Sequence, residues 1–179
     1  MTNDQRSDLK SALRLSEGWV PYLYLDTEGN VTVGCGHKVP TFAHALHLPF
    51  VPKVTPREWH DVQSAPKGMR ASAYFIDSRA RLTDAKIDAL LDADIDQVQR
   101  ELAERFRDYA SWPAPADAAM CDVAFNVGLA RFPKLCAAAS ERAWATCAVE
   151  CHRIGIAEAR NEATSLLFRH AAEAVKTTA

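Results

Sequence analysis

Two carboxylic acids and a hydroxyl stand near the start of the chain, at Glu17, Asp26 and Thr32. Cleaving a glycosidic bond needs such a set. One acid must protonate the leaving oxygen. A second group, on the opposite face of the sugar ring, must hold water or stabilise the positive charge that develops at the anomeric carbon. A threonine hydroxyl both donates and accepts, as a water-holder must. Asp26 lies nine positions after Glu17, a gap that a helix end followed by a hairpin can close. By spacing alone, solvated surface acids would look the same.

Other residue types point to weaker chemistry. His37, His44, His47 and His60, with Asp61, make a histidine-rich neighbourhood. A zinc site needs three or four converging ligands, and neither an HExxH pattern nor paired cysteines supply them. His37 is therefore read as structural, fixing backbone or pairing with an acid, and no metal or other cofactor is expected. Asn126 has the groups to bond an N-acetyl function, and equally those of a helix cap or core amide. Trp19, Trp59 and Trp112 have faces for a sugar but fit packing better. Gly34 and Gly36 let the backbone pass close to a sugar or another strand, or simply form a bulge. Five cysteines at irregular spacing read as reduced, buried thiols that catalysis does not require.

The elements that must position these groups follow from periodicity. Leu9, Leu13 and Glu17 recur every four residues, so Asp4–Glu17 is expected to be a helix, with Gly18 as its stop. WVPYLYLD, the turn material DTEGN and the alternating VTVGCG predict a hairpin over Trp19–Gly36. Five of the nine prolines fall in 38–81. They exclude a long helix and leave short ones at Thr41–Leu48 and Thr55–Ser64. The apolar faces of those short helices are too small to stand alone, so the segment is expected to pack onto the body as a folded insertion. From Leu82 the chain reads as helical. A long helix with Thr83 as N-cap is followed by a compact one closed by Gly128 and at least two more. The expected fold is α+β: a small hairpin-bearing lobe and a larger, mainly helical lobe, with the active site in a cleft between them. A single domain over 1–179 is expected, comprising 1–37 (helix and hairpin), 38–81 (Pro-rich insertion) and 82–179 (helical lobe).

The segment EGWVPYLYLDTEGNVTVGCGH resembles the catalytic signature of phage-type lysozymes, the family 24 glycoside hydrolases. Its fixed positions fall on Glu17, Gly18, Tyr24, Asp26, Gly29, Thr32, Gly34, Gly36 and His37. AFNVGLARFPK and RIGIAEARNEATSLLF are similar to two later family segments. The likeness covers 4–37 and about 82–168. The longer 38–81 segment departs from it and looks closer to pesticin-type lysozyme-like domains. The resemblance implies Glu17 as general acid, Asp26 as the carboxylate that positions water or stabilises the transition state, and Thr32 as a helper in holding that water. It also implies active-site support from His37, Asn126 and Arg160, the last lying near the catalytic Glu. A Glu17 that donates a proton near neutral pH would need partial burial to hold it protonated. Inversion at the anomeric carbon is implied too, with carboxyls ~6.5–9.5 Å apart.

The function so implied is an N-acetylmuramidase that cleaves the β-1,4 bond between N-acetylmuramic acid and N-acetylglucosamine in peptidoglycan. Two alternatives stay open. A lytic transglycosylase would use a Glu without the Asp and release 1,6-anhydro ends. A catalytically silent wall-binding or immunity module would have no need of the three polar residues together.

A net charge of −2 and the absence of a basic patch exclude nucleic acid as a partner. The apolar runs are too short to insert into a membrane. The polar opening MTNDQRSDLK carries no apolar signal segment. The expectation is a monomer made in the cytoplasm and acting on peptidoglycan in the periplasm or cell wall. It would leave either through a holin pathway or through a secretion apparatus, the latter with an immunity protein.

Overall fold

The computed structural model describes residues 1–75 and 79–178. These residues form eight α-helices and a three-stranded antiparallel sheet, an α+β arrangement as the periodicity predicts. By contacts the chain divides into two compact units, Leu13–Asp94 on one hand and Met1–Ala12 with Ile95–Ala179 on the other.

Helix α1 (Asn3–Glu17) carries Asp4 in its first turn and Arg14 in its last, matching the helix dipole at both ends. It stops at Gly18, which has φ +86° and whose N–H bonds back to Arg14 O at 3.2 Å. A side chain is strained in that conformation, so the stop is local and built in. Strands β1 (Val20–Leu25) and β2 (Val31–Gly34) form the expected hairpin. A third strand, β3 (His37–Lys38), pairs with β2 and is too short to show as alternation in sequence. Gly34 earns its place by close approach: a Cβ there would sit 3.2 Å from Ile87 Cγ2.

The insertion packs as expected. Helices α2 (Phe42–His47) and α3 (Pro56–Ser64) begin at Thr41 and Thr55, each hydroxyl accepting from a first-turn N–H. Val39, Phe50, Val54, Trp59, Val62 and Tyr74 join Leu23, Leu25, Val31 and Val33 of the sheet, with Leu82 and Ile87, in one core. Val51 and Arg81 pair as an antiparallel bridge, and Lys86 Nζ donates to Pro49 O at 2.8 Å.

Glu58 closes the insertion. Its Oε2 accepts from the Thr55 N–H (2.9 Å) and hydroxyl (2.8 Å), completing a capping box. Its Oε1 accepts from the N–H groups of Arg79 (2.6 Å) and Ala80 (3.1 Å). Burial alone would raise this carboxyl, but the four donors outweigh it and hold the acid below its ordinary range. Glu58→Ala removes a cap and deprives two further amides of their acceptor. A loss of about 2–4 kcal/mol is expected in urea unfolding, and an unchanged midpoint would contradict it.

In the other unit, α5 (Ala114–Val127), α6 (Pro133–Ser140), α7 (Trp144–Glu150) and α8 (Glu158–Thr178) are joined by the second half of α4 (Asp84–Arg105). α8 packs against α5 and α7. Leu102, Met120, Val123, Leu135, Trp144 and Phe168 are its buried centre.

Candidate active site

Glu17 is the last residue of α1 and is half-buried. Asp26 follows β1 directly, at the mouth of the hairpin turn. That turn is built from the aspartate's own side chain: Oδ1 accepts from the N–H groups of Glu28 (3.0 Å) and Asn30 (2.8 Å), and Oδ2 accepts from Asn30 Nδ2 (2.9 Å). This is the Asx chemistry that makes Asp a turn former. It also has an electrostatic result. Partial burial pushes the Asp26 carboxyl up, yet the bonds from Asn30 and Glu28, with the charge of Lys38, bring it below the ordinary aspartate value. Asp26 is thus held as a carboxylate and does not serve as a proton donor near neutral pH.

Tyr24 stands on β1. It is Thr32's direct cross-strand partner, so the two side chains share a face of the sheet. Burial pushes its phenol up to about 12, and the negative charges of Glu17 and then Asp26 add to that rise. Both carboxylates therefore lie close enough to bear on one phenol. Thr32 itself is 1 % exposed, and its hydroxyl donates to Asn30 O at 3.0 Å. With the proton so committed, the oxygen keeps lone pairs to accept a hydrogen bond.

His37 pairs with an acid. Its Nδ1 lies 2.9 and 3.0 Å from the two oxygens of Asp94 on α4, and its ring meets His44 edge-on at 5.4 Å. Burial, then the neighbouring His37 and His47, hold His44 below the usual histidine value. Among the described residues no group of three or more His, Cys, Asp or Glu converges as a metal site.

Asn126 and Arg160 belong to the helical unit. Asn126 lies in the last turn of α5. Arg160 gives Nε (3.1 Å) and Nη2 (2.7 Å) to Asp122 Oδ1. The same aspartate's Oδ2 meets Arg153 Nη2 at 2.8 Å and accepts from Thr164 Oγ1 at 2.8 Å. Arg153, 1 % exposed, also reaches Asn161 and the carbonyl of Asp122. Burial opposes ionisation of Asp122, but the bond and charge of Arg160, the charge of Arg153 and the bond from Thr164 outweigh it.

Trp59 and Trp112 are core residues. Trp19 lies under the Arg14 guanidinium at 4.2 Å and donates to Asp84 at 2.8 Å.

A family model described as phage lysozyme matches residues 14–173, nearly the whole chain. The chain belongs to the phage lysozyme family. Its α+β architecture is accordingly the lysozyme-like one, and the chain is a glycoside hydrolase-type enzyme of a family that degrades peptidoglycan. Among curated proteins, none matches. The matched span includes Glu17, Asp26, Thr32, His37, Asn126 and Arg160, and it also takes in the insertion 38–81.

Three residues of these networks, Asn30, Asp94 and Asp122, escaped the sequence reading, and Tyr24 entered it only as a signature position. Asn30 was findable, since Asp-Thr-Glu-Gly-Asn is an Asx-turn sequence whose last amide returns to the aspartate. Tyr24 stood in the signature, but nothing in sequence assigns it a place between two acids. Asp94 and Asp122 act through partners 57 and 38 positions away, and no local pattern marks such pairs.

Proposed function

We propose that this chain hydrolyses the β-1,4 bond between N-acetylmuramic acid and N-acetylglucosamine by an inverting acid/base mechanism. The observation that carries the reading is the placement of the two acids, Glu17 as the last residue of α1 and Asp26 at the mouth of the hairpin turn. Asp26 accepts three hydrogen bonds from its own turn, and Glu17 takes the role of proton donor to the glycosidic oxygen that the family resemblance assigns it. Asp26, with the acceptor oxygen of Thr32, takes the opposite role of orienting water and stabilising positive charge at the anomeric carbon. The His37–Asp94 pair fixes β3 to α4. The reaction belongs in the periplasm or wall of a host or target cell and would cause its lysis. A holin pathway or a secretion apparatus, the latter with an immunity protein, would bring the enzyme there. Among the described residues no helix is long and apolar enough to cross a membrane.

Digestion of purified sacculi followed by mass analysis of the fragments tests this reading. Reducing muramic acid ends are expected, formed first as the α-anomer. Anhydro ends would assign a transglycosylase, reducing glucosamine ends a different bond, and binding without products a wall-binding module.

A further inference from the structure

Asn30 is bonded to both candidate groups of the hairpin. Its backbone carbonyl accepts from the Asp26 N–H at 2.9 Å and from the Thr32 hydroxyl at 3.0 Å. Its backbone N–H donates to Asp26 Oδ1 at 2.8 Å, and its side-chain Nδ2 donates to Asp26 Oδ2 at 2.9 Å. The first three bonds belong to the backbone and would form with almost any residue at this position. The last needs the amide side chain.

That side chain has a defined orientation. Nδ2 also lies 3.3 Å from Glu28 Oε2. Both neighbours are carboxylates, which only accept when ionised, so the amide must turn its two N–H bonds toward them. Glu28 lies in turn 3.5 Å from the ammonium of Lys38, the cross-strand partner of Thr32.

The bonds are divided unevenly over the Asp26 carboxylate. Oδ1 accepts from two backbone N–H groups, those of Glu28 and Asn30, which fill both of its lone pairs. Oδ2 accepts from Asn30 Nδ2 and, among the described residues, from nothing else. One lone pair of Oδ2 therefore stays open, and the Asn30 amide decides where it points. The Thr32 proton goes to Asn30 O, so the Thr32 oxygen accepts from any further partner. Two acceptors, each set by Asn30, suit the two protons of one water molecule.

We propose that Asn30 is the positioning residue of this site, turning Asp26 Oδ2 and Thr32 Oγ1 as paired acceptors toward the attacking water. This rests on the reading of the chain as an inverting muramidase. In that reaction the water oxygen bonds the anomeric carbon and its proton passes to Asp26 Oδ2. The glycosidic bond breaks as its oxygen takes the proton of Glu17. Asn30 exchanges no proton; it keeps the open lone pair of Oδ2 from rotating away.

The test uses Asn30→Ala, which keeps the three backbone bonds and deletes the fourth. It is expected to lower kcat on sacculi by about tenfold, the scale of one hydrogen bond to a charged group, with KM within about twofold because uniform substrate binding is untouched. The carboxyl resonance of Asp26 should titrate at higher pH. Burial raises this acid, and the Asn30 side chain is the first of the groups that bring it down. Asn30→Asp should move the titration further, since it sets a third carboxylate beside Asp26 and Glu28. In an active wild type, a shift without loss of kcat overturns the assignment, as does a loss without a shift or one that tracks the fraction folded. The two readings separate cleanly. A titration that moves in a chain whose wild type cleaves nothing would keep Asn30 as the residue that sets Asp26 and discard the muramidase. Inactivation by Asp26→Asn, with Asn30→Ala behaving as wild type, would do the reverse.

Discussion

Glu17→Gln is expected to leave the fold intact and lower lysis of sacculi by about 10²–10⁴, the usual contribution of a general acid. The amide matches the carboxyl in size but has no proton to give to a departing sugar oxygen. Glu17 ends α1 and is only half-buried, so circular dichroism and the unfolding midpoint should scarcely move. Retention of more than roughly a tenth of wild-type activity would remove Glu17 from that role. The other acid shapes the pH profile. Asp26 is held below the ordinary aspartate range by its turn, so it remains a carboxylate as the medium becomes acidic. The acidic limb of kcat/KM that belongs to Asp26 should therefore fall below the usual carboxylate pKa. Asn30→Ala, which deletes one of the donors, should move that limb upward.

The largest expected effect on stability lies in the helical unit, at Asp122. Its carboxylate is shared by Arg153, Arg160 and Thr164. Asp122→Ala leaves the Arg153 guanidinium, 1 % exposed, without its counter-charge. Breaking a buried pair from one side costs about 3–5 kcal/mol, or a Tm lower by roughly 6–20 °C for a chain of this size. Asp122→Asn should fall short of that, since the amide oxygen still accepts. The pH dependence has a definite sign. The folded-state pKa of Asp122 is lowered, so its contribution is complete above the unfolded value of about 3.9 and is lost as pH falls through the folded value. Wild-type stability should decline over that acid range more steeply than that of Asp122→Asn. Parallel curves would contradict the network.

Local chemistry explains what was legible in advance. α1, its stop at Gly18, the hairpin and both short helices of the insertion each depend on residues within a few positions of one another. Apolar spacing, a glycine at positive φ, Thr41 and Thr55 as caps, and Pro56 in a first turn all write themselves into sequence. The elements that carry the candidate residues Glu17, Asp26 and Thr32, a helix end and a hairpin, were legible because they fall within 16 residues. What could not be read is set by distant partners. The clasp of Glu58 on Arg79 and Ala80, the pairing of His37 with Asp94 and the Arg153–Asp122–Arg160 network all join residues whose separation in the chain bears no regular period. β3 is two residues long and exists only because β2 offers it an edge.

The cysteines have a consequence for the proposed route out of the cytoplasm. All five are buried thiols, from 0 to 6 % exposed. Burial raises those of Cys121, Cys136 and Cys151, and it pushes Cys147 up to about 12 with Cys151 adding to the rise. Disulfide exchange starts from a thiolate that an oxidant can reach; burial denies access to all five and disfavours the thiolate at those four. On the proposed route, a molecule folded under reducing conditions could enter an oxidising periplasm without forming mispaired cross-links. It would stay indifferent to redox surroundings until something else unfolded it.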